Sequence, residues 1–280
     1  MICNRLLTVL ALAAAVLAAG VCVGQEPALP KEQHPWGRFP AGSWKSVRVV
    51  SETLDEKGNV ANVIRTETRT TLVAADAQGY ALRIESTVEV AGKRFASQPQ
   101  VVKHGYYGET AGQPVTVKKL GDEEVVIDGR SVPSEVRQAT IEADGVKRVS
   151  KIYYSSRISP YLLRRETTTE GLPDEQANKT TVETVALDLP HKVLSQVQSA
   201  AYIKTTRISP QGTKVTLEVH CDNVPGGVVS HSSGDTDASG RTIRRSTLEL
   251  IDYAIGGHPV TADPVTKRRM FSRQRPRRMN

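Results

Sequence analysis

The chain has 280 residues, long enough to bury a core without covalent bridges, and its three cysteines are too few for a disulfide framework. Its formal net charge of +7 is local: Lys267, Arg268, Arg269, Arg273, Arg275, Arg277 and Arg278 crowd the last 14 residues, and setting these seven and Arg5 aside leaves 29 basic against 30 acidic residues. The body is neutral, so the basicity belongs to an appendage and says nothing of the folded surface, and an aromatic content of 5% leaves few platforms for sugars.

The chain opens with MICNRLLTVLALAAAVLAAGVCVGQEP: one arginine, an apolar run from Leu6 to Val23, then polar sequence. This is the pattern of a secretory signal peptide, expected over residues 1–24. The run is long enough to raise a membrane-anchor alternative. No basic stop-transfer cluster follows it, and Cys22 follows Val21 rather than a small residue, which argues against lipidation. Removing the leader leaves Cys221 as the single cysteine, read as a buried small hydrophobe rather than a reactive thiol.

Residues 25–41, with Pro27, Pro30, Pro35 and Pro40, read as an extended linker. From 42 to 255 the period is two. YALRIESTVEV puts Tyr80, Leu82, Ile84, Val88 and Val90 on one face and Arg83, Glu85 and Glu89 on the other, the alternation of a half-buried strand. Similar strands are predicted at 44–54, 59–74, 134–142, 147–155, 161–169, 179–188, 200–207, 213–220, 227–233 and 241–253, separated by turn signals such as Lys57-Gly58-Asn59 and Asp144-Gly145. One short helical turn is allowed at 190–200, where it could link halves 42–190 and 191–255. The fold class is all-β and mainly antiparallel: a large curved sheet or half-barrel of long meandering hairpins with little helix. Residues 42–76, 160–188 and 225–252 share one outline, a long hairpin with a turn-rich tip, which suggests an old duplication.

The stretch SKIYYSSRISPYLLRRETT (150–168), a strand followed by a proline-led apolar strand, resembles exported bacterial β-proteins of the lipoprotein-carrier type. Asn223-Val224-Pro225-Gly226-Gly227 is similar to a motif of uncharacterised secreted envelope proteins. The resemblance implies an incomplete antiparallel barrel around an apolar groove. Carrier half-barrels usually plug that groove with helices, which this sequence does not supply.

No cluster reads as a catalytic, cofactor or metal site. Ser230, His231 and Ser232 alternate sides of a strand, and no G-x-S-x-G occurs, so a serine nucleophile is not advertised. Asp235, Asp237, Ser239 and Gly240 match the first half of a calcium loop, but Ser246 stands where a bidentate carboxylate is required. The same residues are what a hairpin tip needs. His220, Cys221 and His231 lack zinc-ligand spacing, and the acids of 121–125 read as a solvated turn. Trp44 reads as a core anchor. In HGYYGE (104–109), Tyr106 and Tyr107 could line a ligand groove or cover one end of the sheet.

Residues 256–280 read as a disordered basic tail suited to an anionic envelope polymer or membrane surface. Nucleic acid is not an expected partner of an exported protein, and no cofactor is expected. The resulting expectation is an exported protein of the periplasm, cell envelope or exterior, non-enzymatic, binding an apolar ligand, a lipid or an extended ligand on its curved sheet or serving as an interaction scaffold. The alternatives are a secreted or periplasmic hydrolase with an unadvertised site, and a structural surface protein held by its tail.

Overall fold

The computed structural model describes residues 29–143, 145–171 and 178–256. The expected leader and the seven cations from Lys267 to Arg278 lie outside the described residues. Within them, β1 (Trp44–Leu54), β2 (Val60–Ala75) and β3 (Tyr80–Val90) form a meander whose next strand is broken in two. β4 (Lys93–Ala96) pairs with the end of β3 and β5 (Gln100–His104) with its beginning. The chain then continues through β6 (Val115–Ile127), β7 (Arg130–Ala143), β8 (Val146–Tyr154), β9 (Leu162–Glu170), β10 (Lys179–Val193), β11 (Gln196–Ser209), β12 (Gly212–His220), β13 (Val228–Asp237) and β14 (Thr242–Ala254).

These strands make one antiparallel sheet in the order β4-β3-β2-β1-β14-β13-β12-β11-β10-β9-β8-β7-β6, with β5 beside β3. The first and last strands pair in its interior, from Trp44 opposite Ala254 to Thr53 opposite Arg244. The two free edges are therefore β4/β5 and β6, which are consecutive in the chain and joined by residues 105–114. The sheet is not closed into a barrel. It does curl: Ile127 and Val132, flanking the β6–β7 turn, pack with Leu163 and Leu187, and Arg130 Nη1 lies 3.2 Å from Asp188 Oδ2. The all-β antiparallel expectation holds, and the one helical element among the described residues is a 3-10 turn, Lys31–Gln33.

The three similar outlines are the hairpins β1–β2, β9–β10 and β13–β14. Two of their tips share one construction. Asp55 Oδ1 accepts from the backbone N–H of Lys57 (2.9 Å) and Asn59 (2.8 Å), and Asp237 Oδ1 accepts from Ser239 (3.0 Å) and Arg241 (3.1 Å). Gly58 and Gly240 take φ of 81° and 85° in these turns, a conformation that favours glycine. Asp237 is thus occupied by its own turn, which holds its carboxyl down at about 2, chiefly through the Ser239 hydroxyl.

Two local expectations are corrected. Residues 190–200 are not helical: β10 runs through Pro190 to Val193, turns at Leu194-Ser195, and returns as β11, with Val193 and Ala200 in the core. A division at 190/191 would cut this continuous strand. Three strands, β4, β5 and β6, stand where none was predicted. They are edge strands exposed over most of their length; only β6 carries inward apolar pairs, Val115 and Val117 at its start and Val125 and Ile127 at its end, with a charged middle that breaks the alternation.

Residues 29–41, read as an extended linker, are packed into the fold. Leu29 joins the buried cluster of Tyr106, Tyr107, Ala139, Ile152 and Tyr154, while Trp36 joins Leu72 and Leu82. Gly226 N donates to Pro35 O at 2.9 Å, and Gly42 N to Leu72 O at 2.8 Å. Gly226 combines a φ of 74° with the face of Trp36: a Cβ there would lie 2.6 Å from the indole Cε2. The bend Val224-Pro225-Gly226-Gly227 is therefore the seat of the lead-in.

Candidate functional site

The opening of the sheet forms a cavity of about 800 Å3. One bank is the β2–β3 turn with the start of β3 and the end of β5, contributing Asp76, Tyr80, Ala81, Lys103 and His104; the opposite bank is the start of β6, with Val115 and Val117. The connector 105–114 crosses between them and adds Tyr107, Glu109 and Pro114. The wall thus mixes apolar side chains with both signs of charge, as ligand pockets do.

Tyr106 and Tyr107 fix this connector. Both are 4% exposed. The Tyr106 hydroxyl donates to Asp76 O at 2.6 Å, and its ring lies 5.0 Å from that of His34 and 5.9 Å from that of Tyr80. Tyr106 is a core anchor and does not line the cavity; Tyr107 does. Arginines from three strands hold the Tyr107 side: Arg137 donates to its hydroxyl at 3.3 Å, Arg165 to its carbonyl at 2.9 Å and Arg148 to Gly108 O at 3.1 Å. Glu109 Oε2 accepts from Tyr107 N at 2.9 Å. Burial, reinforced by Glu109 and Tyr106, pushes the Tyr80 phenol up to about 12, so it stays neutral and able to donate.

Across the seam, His34 closes the lead-in turn. Its Nδ1 accepts from Trp36 N at 3.2 Å and Gly37 N at 3.3 Å. Burial, with the charges of Arg38 and His104, pulls its pKa down to about 4, which keeps the ring neutral and able to accept.

The SHSSGD stretch lies inside β13 rather than at its tip. Thr205, Thr216, Ser233, Ser246 and Ser51 stand opposite one another across five strands. Ser246 Oγ lies 3.0 Å from Ser233 Oγ and 3.3 Å from His231 Nε2. The carboxylate opposite His231, Glu218, accepts from His220 Nε2 instead, at 3.0 Å. Without an orienting acid, the Ser246–His231 contact is a link in a hydroxyl row, not a nucleophile–base pair. Asp235 lies 3.6 Å from Lys214 across the strand pair, away from the Asp237 turn.

Cys221 is buried in a cluster with Val193, Ala200, Val219, Val224 and Val229, and burial, with Asp222, pushes its thiol up to about 11. Lys45 reaches Val228 O at 3.0 Å, and burial brings its pKa down to about 8, with Glu218 opposing. Among the described residues no three His, Cys, Asp or Glu side chains converge on a metal position. The acids of 121–125 belong to edge strand β6, with Asp122 near Lys119 (3.1 Å) and Glu123 near Lys151 (3.0 Å).

Sequence reasoning singled out the tyrosine loop but not Tyr80, His104, Val115 and Val117, because the facing of two unpaired edges across an open sheet leaves no local signal. It also missed His34 and Trp36. Their clue was the run of Leu29, Trp36 and Phe39 within a proline-rich segment, more apolar than a solvated linker needs.

No protein-family model matches the chain, and no curated protein matches it. Among solved structures, a protein from Bacteroides fragilis described as exported, with YmcC-like fold, has 10% identity and a TM-score of 0.30 over 77% of this chain and 98% of its own. A protein from Parabacteroides distasonis described as a lipoprotein has 11% identity and a TM-score of 0.28 over 77% of this chain and 97% of its own. OmpF of Salmonella typhi has 7% identity and a TM-score of 0.21 over 74% and 95%. Likenesses this distant carry no argument about this chain.

Proposed function

We propose that this is an exported, non-enzymatic β protein that holds an extended amphiphilic ligand in the cleft where its sheet fails to close. The observation that carries this reading is the cavity of about 800 Å3 at that opening, within the range of about 300–1,000 Å3 of small-molecule sites. Tyr107, Val115, Val117 and Ala81 supply surface for an apolar body, while Lys103, His104 and the Tyr80 hydroxyl supply donors for a polar group. Export is argued from the leader pattern of residues 1–24.

The test is mass spectrometry of the purified protein for a co-purifying amphiphile, together with uptake of a hydrophobic fluorescent probe by the folded chain. Binding should be lost in Val115→Trp with circular dichroism unchanged. An empty protein that takes up no probe while folded would refute the reading.

The concentration of seven cations in 267–280 favours a second role, attachment to an anionic polymer or membrane surface, each charge contributing about 1 kcal/mol near such a surface. Truncation after Thr266 should abolish salt-sensitive binding to anionic vesicles; equal binding by the truncated chain would make the tail incidental.

A further inference from the structure

We propose a second ligand site, beneath the lead-in, that takes a monocyclic aromatic molecule bearing a hydrogen-bond donor. The site is a cavity of about 160 Å3 between residues 29–35 and the sheet, with no wall residue in common with the cleft at the opening. A dry cavity of about 150 Å3 is the size that accepts a benzene ring. The wall suits one: Leu29 and Pro35 come from the lead-in, and Tyr154, Tyr161, Val182 and Ile203 from the other side.

The polar part of the wall sets the donor requirement. Glu218 and His220 both line the cavity, and Glu218 Oε2 accepts from His220 Nε2 at 3.0 Å. The other carboxylate oxygen makes no hydrogen bond to a described residue. Burial works to raise the Glu218 pKa, but the His220 bond and the charges of His220, His231 and Lys45 outweigh it, so the group is ionised and accepts only. The Glu218 side chain keeps 28% exposure, so solvent reaches its free oxygen; a hydroxyl on a bound ring replaces that donor, whereas a bare ring displaces the solvent and offers none.

Tyr161 is a second, independent observation. It has φ of 62°, and Leu162 N donates to Pro160 O at 2.7 Å around it, closing a γ-turn. A non-glycine residue held in this conformation is strained, and such residues concentrate where a side chain must be presented to a ligand. The Tyr161 ring lines the cavity and lies under the Arg38 guanidinium, 5.4 Å from its centroid, while Arg38 pairs with Asp222 at 3.3 Å. The lead-in thus holds the aromatic wall in place.

The test is a methyl-resolved NMR titration of the full protein with benzene and with phenol, observing Val182 and Ile203. Saturable shifts are expected for both, with phenol binding at least about tenfold tighter, the worth of one hydrogen bond to a charged acceptor. Ile203→Phe should fill the space and abolish both; Val182→Phe serves as the second filling variant if the first does not fold. No saturable shift, equal affinity for the two probes, or binding that survives filling would overturn the proposal. Because the two cavities share no wall residue, Val115→Trp should leave phenol binding unchanged.

Discussion

Tyr106 and Tyr107 are neighbours in the chain but are tied to opposite banks of the open sheet. The Tyr106 hydroxyl donates to Asp76 O at 2.6 Å in the β2–β3 turn, and the Tyr107 hydroxyl accepts from Arg137 of β7 at 3.3 Å. The connector between the two free edges is thereby a strap. Tyr106→Phe should cost about 1 kcal/mol, the worth of one buried hydrogen bond, and should raise amide hydrogen exchange in residues 76–79. Tyr107→Phe should leave that turn protected and act on the β7 side. Equal exchange effects from both variants would contradict the division of labour.

The contact of Trp36 with Gly226 makes a sharper prediction. Gly226→Ala must accept a positive φ and displace an indole that is 8% exposed. The expected loss in urea denaturation is about 3 kcal/mol, combining overpacking with left-handed backbone strain. Gly58→Ala is the control: φ is 81° but nothing lies within 4 Å of the added carbon. It should lose about 1 kcal/mol, from backbone strain alone. Similar losses would show that the lead-in is not seated on this bend.

The buried His34 predicts an acid sensitivity. Its pKa is lowered in the fold from 6.5 to about 4, so the neutral ring stabilises the native state fully above pH 6.5, and that contribution is lost as pH falls from 6.5 through 4. The loss is about 3 kcal/mol at completion. His34→Asn keeps an acceptor for the N–H groups of Trp36 and Gly37 without titrating in this range. Its stability should fall less than that of the wild type between pH 7 and pH 4. Parallel pH curves for the two proteins would remove His34 from the account.

Much of the sheet was legible in the chain. Alternation in YALRIESTVEV and the Gly-containing turns suffice for hairpins, since strand and turn are local and one buried face imposes period two. The construction of the Asp237 tip was legible for the same reason: Asp, Ser and Gly act on backbone within a few positions.

Three features waited for the tertiary structure. Edge strands β4 and β5 are exposed over most of their length, and β6 turns apolar residues inward only near its ends, Val115 and Val117 and then Val125 and Ile127, so none carries an alternation long enough to reveal a strand. The pairing of β1 with β14 leaves the opening between β5 and β6, and nothing local to residues 105–114 says that they join opposite edges. The fate of residues 29–41 was settled by partners far along the chain, Gly226 for Pro35 and Trp36, and Tyr80 and Tyr106 for His34. Local sequence sets backbone preference, but a proline-rich segment takes its place in a core only through the surfaces it meets.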